Sequence, residues 1–235
     1  MHRVLHAFVD PFYFRQSLPD IWSGFVLNVH MMVIAEALVL VLALLIAVVR
    51  GLPGRGARPL RGLAIVYTDF FRGTPLTIVA FVCILGLPGT GIGFLKNVSS
   101  TALGIVALTI VYTAYVTEVY RAGIESVHGS QRMAARSLGL SYGQALRYVV
   151  LPQAIRRVIP PLLNDFIGLQ KDTAIIGAIG VTEAAAQGTN FANDYFNYTG
   201  YFVAAVFFVY LTIPLARFTD HIIRQRELRE RAAGT

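Results

Sequence analysis

The chain is poor in charge and nearly devoid of cysteine. Of 235 residues only 14% are Asp, Glu, Lys or Arg, while 55% are hydrophobic; an ordinary soluble domain carries roughly 25% charged residues. That shortage argues against a soluble globular protein and for one embedded in a membrane. The single cysteine, Cys83, lies in an apolar run, so no intrachain disulfide can form. The five histidines, His2, His6, His30, His128 and His221, are scattered without metal-ligand spacing. No G-x-x-x-x-G-K-[ST] pattern occurs, which excludes ATP binding through a P-loop in this chain. Residues 1–24 lack the charged start, apolar core and small-residue cleavage site of a secretory signal. No polar stretch is long enough to fold alone, so a single membrane domain is expected.

What the chain does have is apolar runs of bilayer length. They predict an all-α integral membrane protein with five transmembrane helices, over about 25–49, 65–87, 101–121, 162–181 and 201–216. Residues 1–24, with Phe12, Tyr13, Phe14 and Trp22, suit an interfacial segment because aromatic rings favour the headgroup level. Pro75 inside the second run predicts a kink or an interfacial break. The aromatics Phe207, Phe208 and Tyr210 read as packing or lipid-facing residues. Residues 221–235 form a basic amphipathic tail.

Sidedness follows from Lys and Arg. The segments 50–62, 121–160 and 217–235 hold four, six and five of them, against two in 1–24, one in 87–100 and none in 182–198. Basic residues gather on the cytoplasmic side, so the N-terminus is expected outside and the C-terminus in the cytoplasm. The net charge of +7 is then explained without nucleic acid.

The most informative stretch is 129–152, GSQRMAARSLGLSYGQALRYVVLP. Ser130 is placed to cap a short helix and Gly139 to end it. Ser141 and Gln144 have capping-box spacing for a second helix, which Pro152 is expected to stop. A polar helix–turn–helix could bind DNA in a soluble protein, but between membrane spans it reads as a cytoplasmic loop continuing to Pro160 and Pro161.

This loop resembles the EAA loop of bacterial ABC importer permeases. Ala134, Ala135, Gly139, Leu151 and Pro152 match the pattern, and Met133 stands where the family has glutamate. Two further stretches are similar to the polar amino acid subfamily, the HisM/GlnP-like permeases: RGTPL at 72–76 and NDFIGLQKDTA at 164–174. The resemblance implies a type I ABC importer transmembrane domain, over about 25–220, in a bacterial inner membrane. It implies an ATP-binding subunit dimer that uses ATP and Mg, a second permease subunit, identical or homologous, and an extracytoplasmic substrate-binding protein. No cofactor is expected on this chain, and it is not an enzyme. By the same resemblance the loop docks into the ATPase, with Arg132, Met133, Ala134, Ala135, Arg136, Gly139, Leu151 and Pro152 as coupling residues.

Ionisable residues within spans mark a candidate substrate path. Glu118 and Arg121 are three apart and share a helix face; Asn164 and Lys171, like Asp165 and Asp172, are seven apart and share another. Glu36 lies mid-span and should face protein rather than lipid. An amino acid needs a cation for its carboxylate and an acid for its ammonium, and these residues offer both. They could equally neutralise one another or form a gate or packing network. An ion-driven secondary carrier, the rival, would usually show internal repeats with discontinuous helices, and no convincing repeat is present.

Overall fold

A computed structural model describes residues 6–52, 54–127 and 129–233. His2, His128 and the outermost parts of the two flanking segments (1–5 and 234–235) lie outside the described residues. Helices make up nearly all of the described chain: α1 Pro11–Gly51, α2 Arg58–Gly73, α3 Leu76–Phe81, α4 Ser100–Glu125, α5 Gly129–Ser137, α6 Tyr142–Ala145, α7 Leu151–Gly177, α8 Ala184–Tyr195 and α9 Thr199–Ala233. A π-helical stretch, Val82–Gly86, extends α3, and another, Leu146–Val150, joins α6 to α7.

Four sequence expectations change. The interfacial segment and first span are one helix, because Asp10 caps α1 through Phe12 N–H (2.9 Å) and Pro11 falls in the first turn, where no backbone donor is needed. The second span, expected over 65–87, is a bent pair: α2 and the helix from Leu76 to Gly89 meet at 104°. Pro75 disfavours helical backbone in the residue before it, and Thr74 is extended. Pro152 does not stop a helix. It lies in the first turn of α7, which then runs unbroken through Pro160 and Pro161 into the stretch expected as the fourth span. The last helix reaches Ala233 rather than ending near 216. Three helices among the described residues are long and apolar enough to cross a membrane, four if the bent pair counts as one. α7 is not among them, since Asn164, Asp165, Gln170, Lys171 and Asp172 dilute its apolar character.

The core forms where α1 crosses α4, with α3 and α7 beside it. Ala35, Val39 and Ala43 of α1 recur every fourth residue and are fully buried, as are Ala107, Leu108 and Ala114 of α4. Small residues suit this seam because lipid supplies no hydrophobic drive between helices; close van der Waals approach must do it. Polar contacts add direction: Thr212 donates to the buried Gln170 side chain (2.7 Å), tying α9 to α7. Phe25 stacks on Phe207 and meets Phe208 edge-on, while Tyr210 is 79% exposed.

Candidate functional site

Two regions stand out, and α7 connects them. The first is the hairpin between α4 and α7. α5 ends in a Schellman motif: Leu140 N–H donates to the Ala135 carbonyl (3.2 Å) and Gly139 N–H to that of Arg136 (3.0 Å). Gly139 sits at φ +85°, a conformation that disfavours a Cβ. Ser141 and Gln144 then close a capping box, with Ser141 N–H to Gln144 Oε1 at 2.8 Å and Gln144 N–H to Ser141 Oγ at 3.3 Å. The two short helices expected around a glycine are therefore present, with these caps, but the first begins at Gly129, so Ser130 lies inside it and not at its N-cap.

Ala135 and Ala145 are buried within the hairpin, and Val127, Val150 and Ala154 make a small apolar cluster at its base. Below it Gly123 of α4 packs so tightly on α7 that a Cβ would lie 2.1 Å from Val158 Cγ1. Outward, Met133 and Leu138 are 66% and 83% exposed, Arg136 and Ala134 are exposed, and Arg132 is half-buried. Leu151 and Pro152 are exposed at the start of α7. The hairpin is thus a rigid knob on the ends of α4 and α7, presenting apolar tips and guanidinium groups.

The second region is a cleft of about 530 Å³ between the α2–α3 break, α4 and α7. Arg72, Tyr115, Glu118, Arg157 and Asp165 supply its polar lining. Tyr115 hydroxyl donates to the Arg72 carbonyl (3.4 Å), and Arg157 donates to the Ser126 carbonyl. Asp165 Oδ2 is buried with no hydrogen-bond partner among the described residues, as is Glu36 Oε2 on α1.

Of the candidate path residues, Glu118 and Asp165 share this cleft; Glu36, Lys171 and Asp172 do not line it. Glu118 is spoken for on both oxygens. Oε1 accepts from Arg50, which also donates to Thr68 of α2 (3.0 Å), and Oε2 accepts from Arg121 Nε (2.9 Å) and Nη2 (2.7 Å). Arg121 extends the chain of charge to Glu125. Asp172 accepts from the Tyr112 hydroxyl (2.8 Å), and Lys171 is exposed. Sequence reasoning passed over Arg50, counted only as a loop charge, and Arg157. Nothing in their local sequence signals what they touch.

It also missed Glu183, which is fully buried. Its carboxylate accepts from Ala185 N–H (3.0 Å), Ala186 N–H (2.8 Å) and the Asn28 side-chain amide (2.9 Å). Glutamate is not a favoured N-cap, so the residue gave no cue.

Comparison with known proteins places this architecture. Residues 42–228 match the family described as "Binding-protein-dependent transport system inner membrane component". The probable glutamine ABC transporter permease protein GlnM of Bacillus subtilis is 37% identical over 171 residues, covering 72% of this chain and 77% of GlnM. The arginine transport system permease protein ArtQ of the same organism is 28% identical over 89% of this chain and 93% of its own length. Among solved structures, an amino acid ABC transporter crystallised with histidines superposes with a TM-score of 0.84 at 30% identity, over 92% of this chain and 99% of that one. An inward-facing MetNI methionine ABC transporter shares the fold at 20% identity and a TM-score of 0.71, over 88% of this chain and 95% of that one. The chain therefore belongs to the binding-protein-dependent transport system inner membrane component family, as a multi-pass permease subunit of an ABC transporter.

Proposed function

We propose that this chain and a second permease, identical or homologous, form the pathway of an importer for polar amino acids, driven by ATP hydrolysis on a separate ATPase dimer. The observation that carries this reading is the continuity of α7, which starts in the hairpin and delivers Asp165 to the cleft. Movement of the hairpin is movement of the cleft wall.

In this reading residues 25–220 are the transport domain, with α7 and the bent α2–α3 pair completing five crossings. The N-terminus is outside, and the basic tail 221–235 is in the cytoplasm with the hairpin, as the fifteen-to-three bias of Lys and Arg supports. Arg132, Met133, Ala134, Ala135, Arg136, Gly139, Leu151 and Pro152 form the docking surface and its base. The partner uses ATP and Mg, and this chain carries no cofactor. A substrate-binding protein delivers substrate to the face formed by residues 86–100 and 182–198.

The cleft suits a zwitterion. Asp165, with a free buried oxygen, offers an acceptor to an ammonium, and Arg72 offers a cation to a carboxylate. Glu118, Arg121 and Arg50 instead hold the wall together. Relatives named for glutamine and arginine transport support amino acids as the substrate class.

The test is reconstitution with the cognate ATPase and binding protein in vesicles, following radiolabelled amino acids with and without internal ATP. Uptake that requires ATP and all three components is the expected result. Accumulation by this chain alone, driven by an ion gradient, would overturn the reading.

A further inference from the structure

Glu183 sits where three segments meet at the end of the bundle opposite the hairpin. Asn28 of α1 donates to Glu183 (2.9 Å) and to Thr173 Oγ1 of α7 (2.9 Å), and its carbonyl oxygen accepts from Ala184 N–H at the start of α8 (3.1 Å). One turn from each polar partner is a glycine. A Cβ on Gly24 would lie 2.6 Å from the Ala184 nitrogen, and one on Gly177 would lie 1.9 Å from Glu183 Oε1. The carboxylate is thus held in a cradle with no slack. The donors that reach it are amides, and the N-terminus of α8 adds a favourable partial charge.

A buried carboxylate without a cation is costly, and capping α8 needs only a short Ser, Thr or Asp. Glutamate adds reach: the same group caps α8 and crosses to α1. The two ends of α7 therefore differ in kind. At the hairpin end α7 rests on apolar contacts, with Val127 and Val150 and through Val158 against Gly123, together with the exposed Arg157 bond to Ser126. Apolar contacts are non-directional. At the far end the apolar packing of Ile176 is joined by buried, directional hydrogen bonds, from Asn28 to Thr173 of α7 and from Asn28 to Glu183.

We infer that Glu183 and Asn28 form a positioning clasp that anchors the far end of α7, so that displacement of the hairpin swings the helix about this point and opens or closes the cleft. The inference rests on the importer reading. Without the clasp the hairpin would still engage the ATPase, but α7 would lose its bond to α1 and part of the stroke would dissipate there.

The experiment measures uptake and ATP hydrolysis together in vesicles holding the complete transporter. Glu183→Gln sets its new NH2 against a donor whichever way it turns, Ala186 N–H at the Oε1 place or Ala185 N–H and Asn28 at the Oε2 place, and Asn28→Asp opposes two carboxylates. Each is expected to lower substrate moved per ATP by about tenfold, the scale of one unsatisfied buried polar group, while hydrolysis continues. The double variant N28D/E183Q exchanges donor and acceptor. The carboxylate introduced on α1 can accept from Ala184 N–H and from the amide introduced opposite it, and that amide's own oxygen, in the place of Oε1, still accepts from Ala186 N–H, while Ala185 N–H, which shares Oε2 with Asn28, loses its acceptor. The double variant should recover part of the ratio, to within about threefold of the wild type.

A purely architectural role would lower uptake and hydrolysis together with the amount of assembled complex, leaving the ratio unchanged; that result overturns the clasp. So does normal coupling in Asn28→Asp. If the single variants fail to assemble, the double variant decides, since an assembled, ATP-hydrolysing but non-transporting double variant also refutes it. A wild-type complex without ATP-dependent uptake would instead sink the importer reading, and the clasp with it.

Discussion

Arg50, at the last turn of α1, reaches the Glu118 carboxylate on α4 and, through Thr68 of α2, makes three helices share one charge. Both side chains are mostly buried, 13% and 15% exposed, and Thr68 of α2 is bonded to the same guanidinium nitrogen (3.0 Å). Replacing Glu118 by Gln leaves Arg50 buried without a counter-ion, which should cost about 3 kcal/mol, the lower end for breaking a buried pair. Thermal unfolding in detergent will register it. The double variant R50M/E118M should recover much of that loss, because neither charge then remains.

The α4–α7 joint is set by volume. Gly123→Ala forces a methyl into Val158, and overpacking of this kind costs about 1–3 kcal/mol. Val158→Ala in the same chain should return most of the stability by making room. Unchanged melting of Gly123→Ala would mean the two helices are looser than their packing indicates.

Gly139 is different, since a Cβ there meets nothing within 4 Å. Its role is backbone conformation alone, and an ordinary L-residue is destabilised by about 1–2 kcal/mol in that region. Gly139→Ala should weaken co-purification of the ATPase, Gly139→Asn less so because Asn tolerates left-handed backbone, and Gly139→Asp should uncouple transport by adding a charge to the docking turn. Equal retention of ATPase by all three would count against docking through this turn.

Asp165 and Glu36 each keep a buried oxygen without a partner among the described residues, but only Asp165 faces the cleft. Asp165→Asn should raise the KM for uptake about tenfold or more, the scale of a charge-assisted hydrogen bond, with melting little changed. Glu36→Gln should move KM less. A reversal of that order would shift the ammonium site away from the cleft.

Much of the fold was legible in residue order because its causes are local. Gly139, Ser141 and Gln144 produce the hairpin by backbone conformation and reciprocal capping within a few residues, and Pro75 announces the bend. Pro152, Pro160 and Pro161 misled because proline is a breaker only where a donor is required. Pro152 falls in a first turn where none is needed, and helix packing carries α7 across the other two. The site was legible only in part. Glu118 and Arg121 share a face as their spacing demanded, yet the partner that takes the remaining carboxylate oxygen lies 68 residues away.

By itself the sequence determined that this protein is helical and membrane-embedded, and which hairpin stands out. Hydropathy, charge asymmetry and capping act over short distances and survive in one dimension. Tertiary structure alone decided that Glu118 is bound on both oxygens, that Asp165 and not Lys171 opens on the cleft, and that Glu183 and Asn28 together join α1, α7 and α8. A buried carboxylate takes its role from the donors that surround it. Here one of them, Asn28, stands 155 residues away, and only packing brings it there.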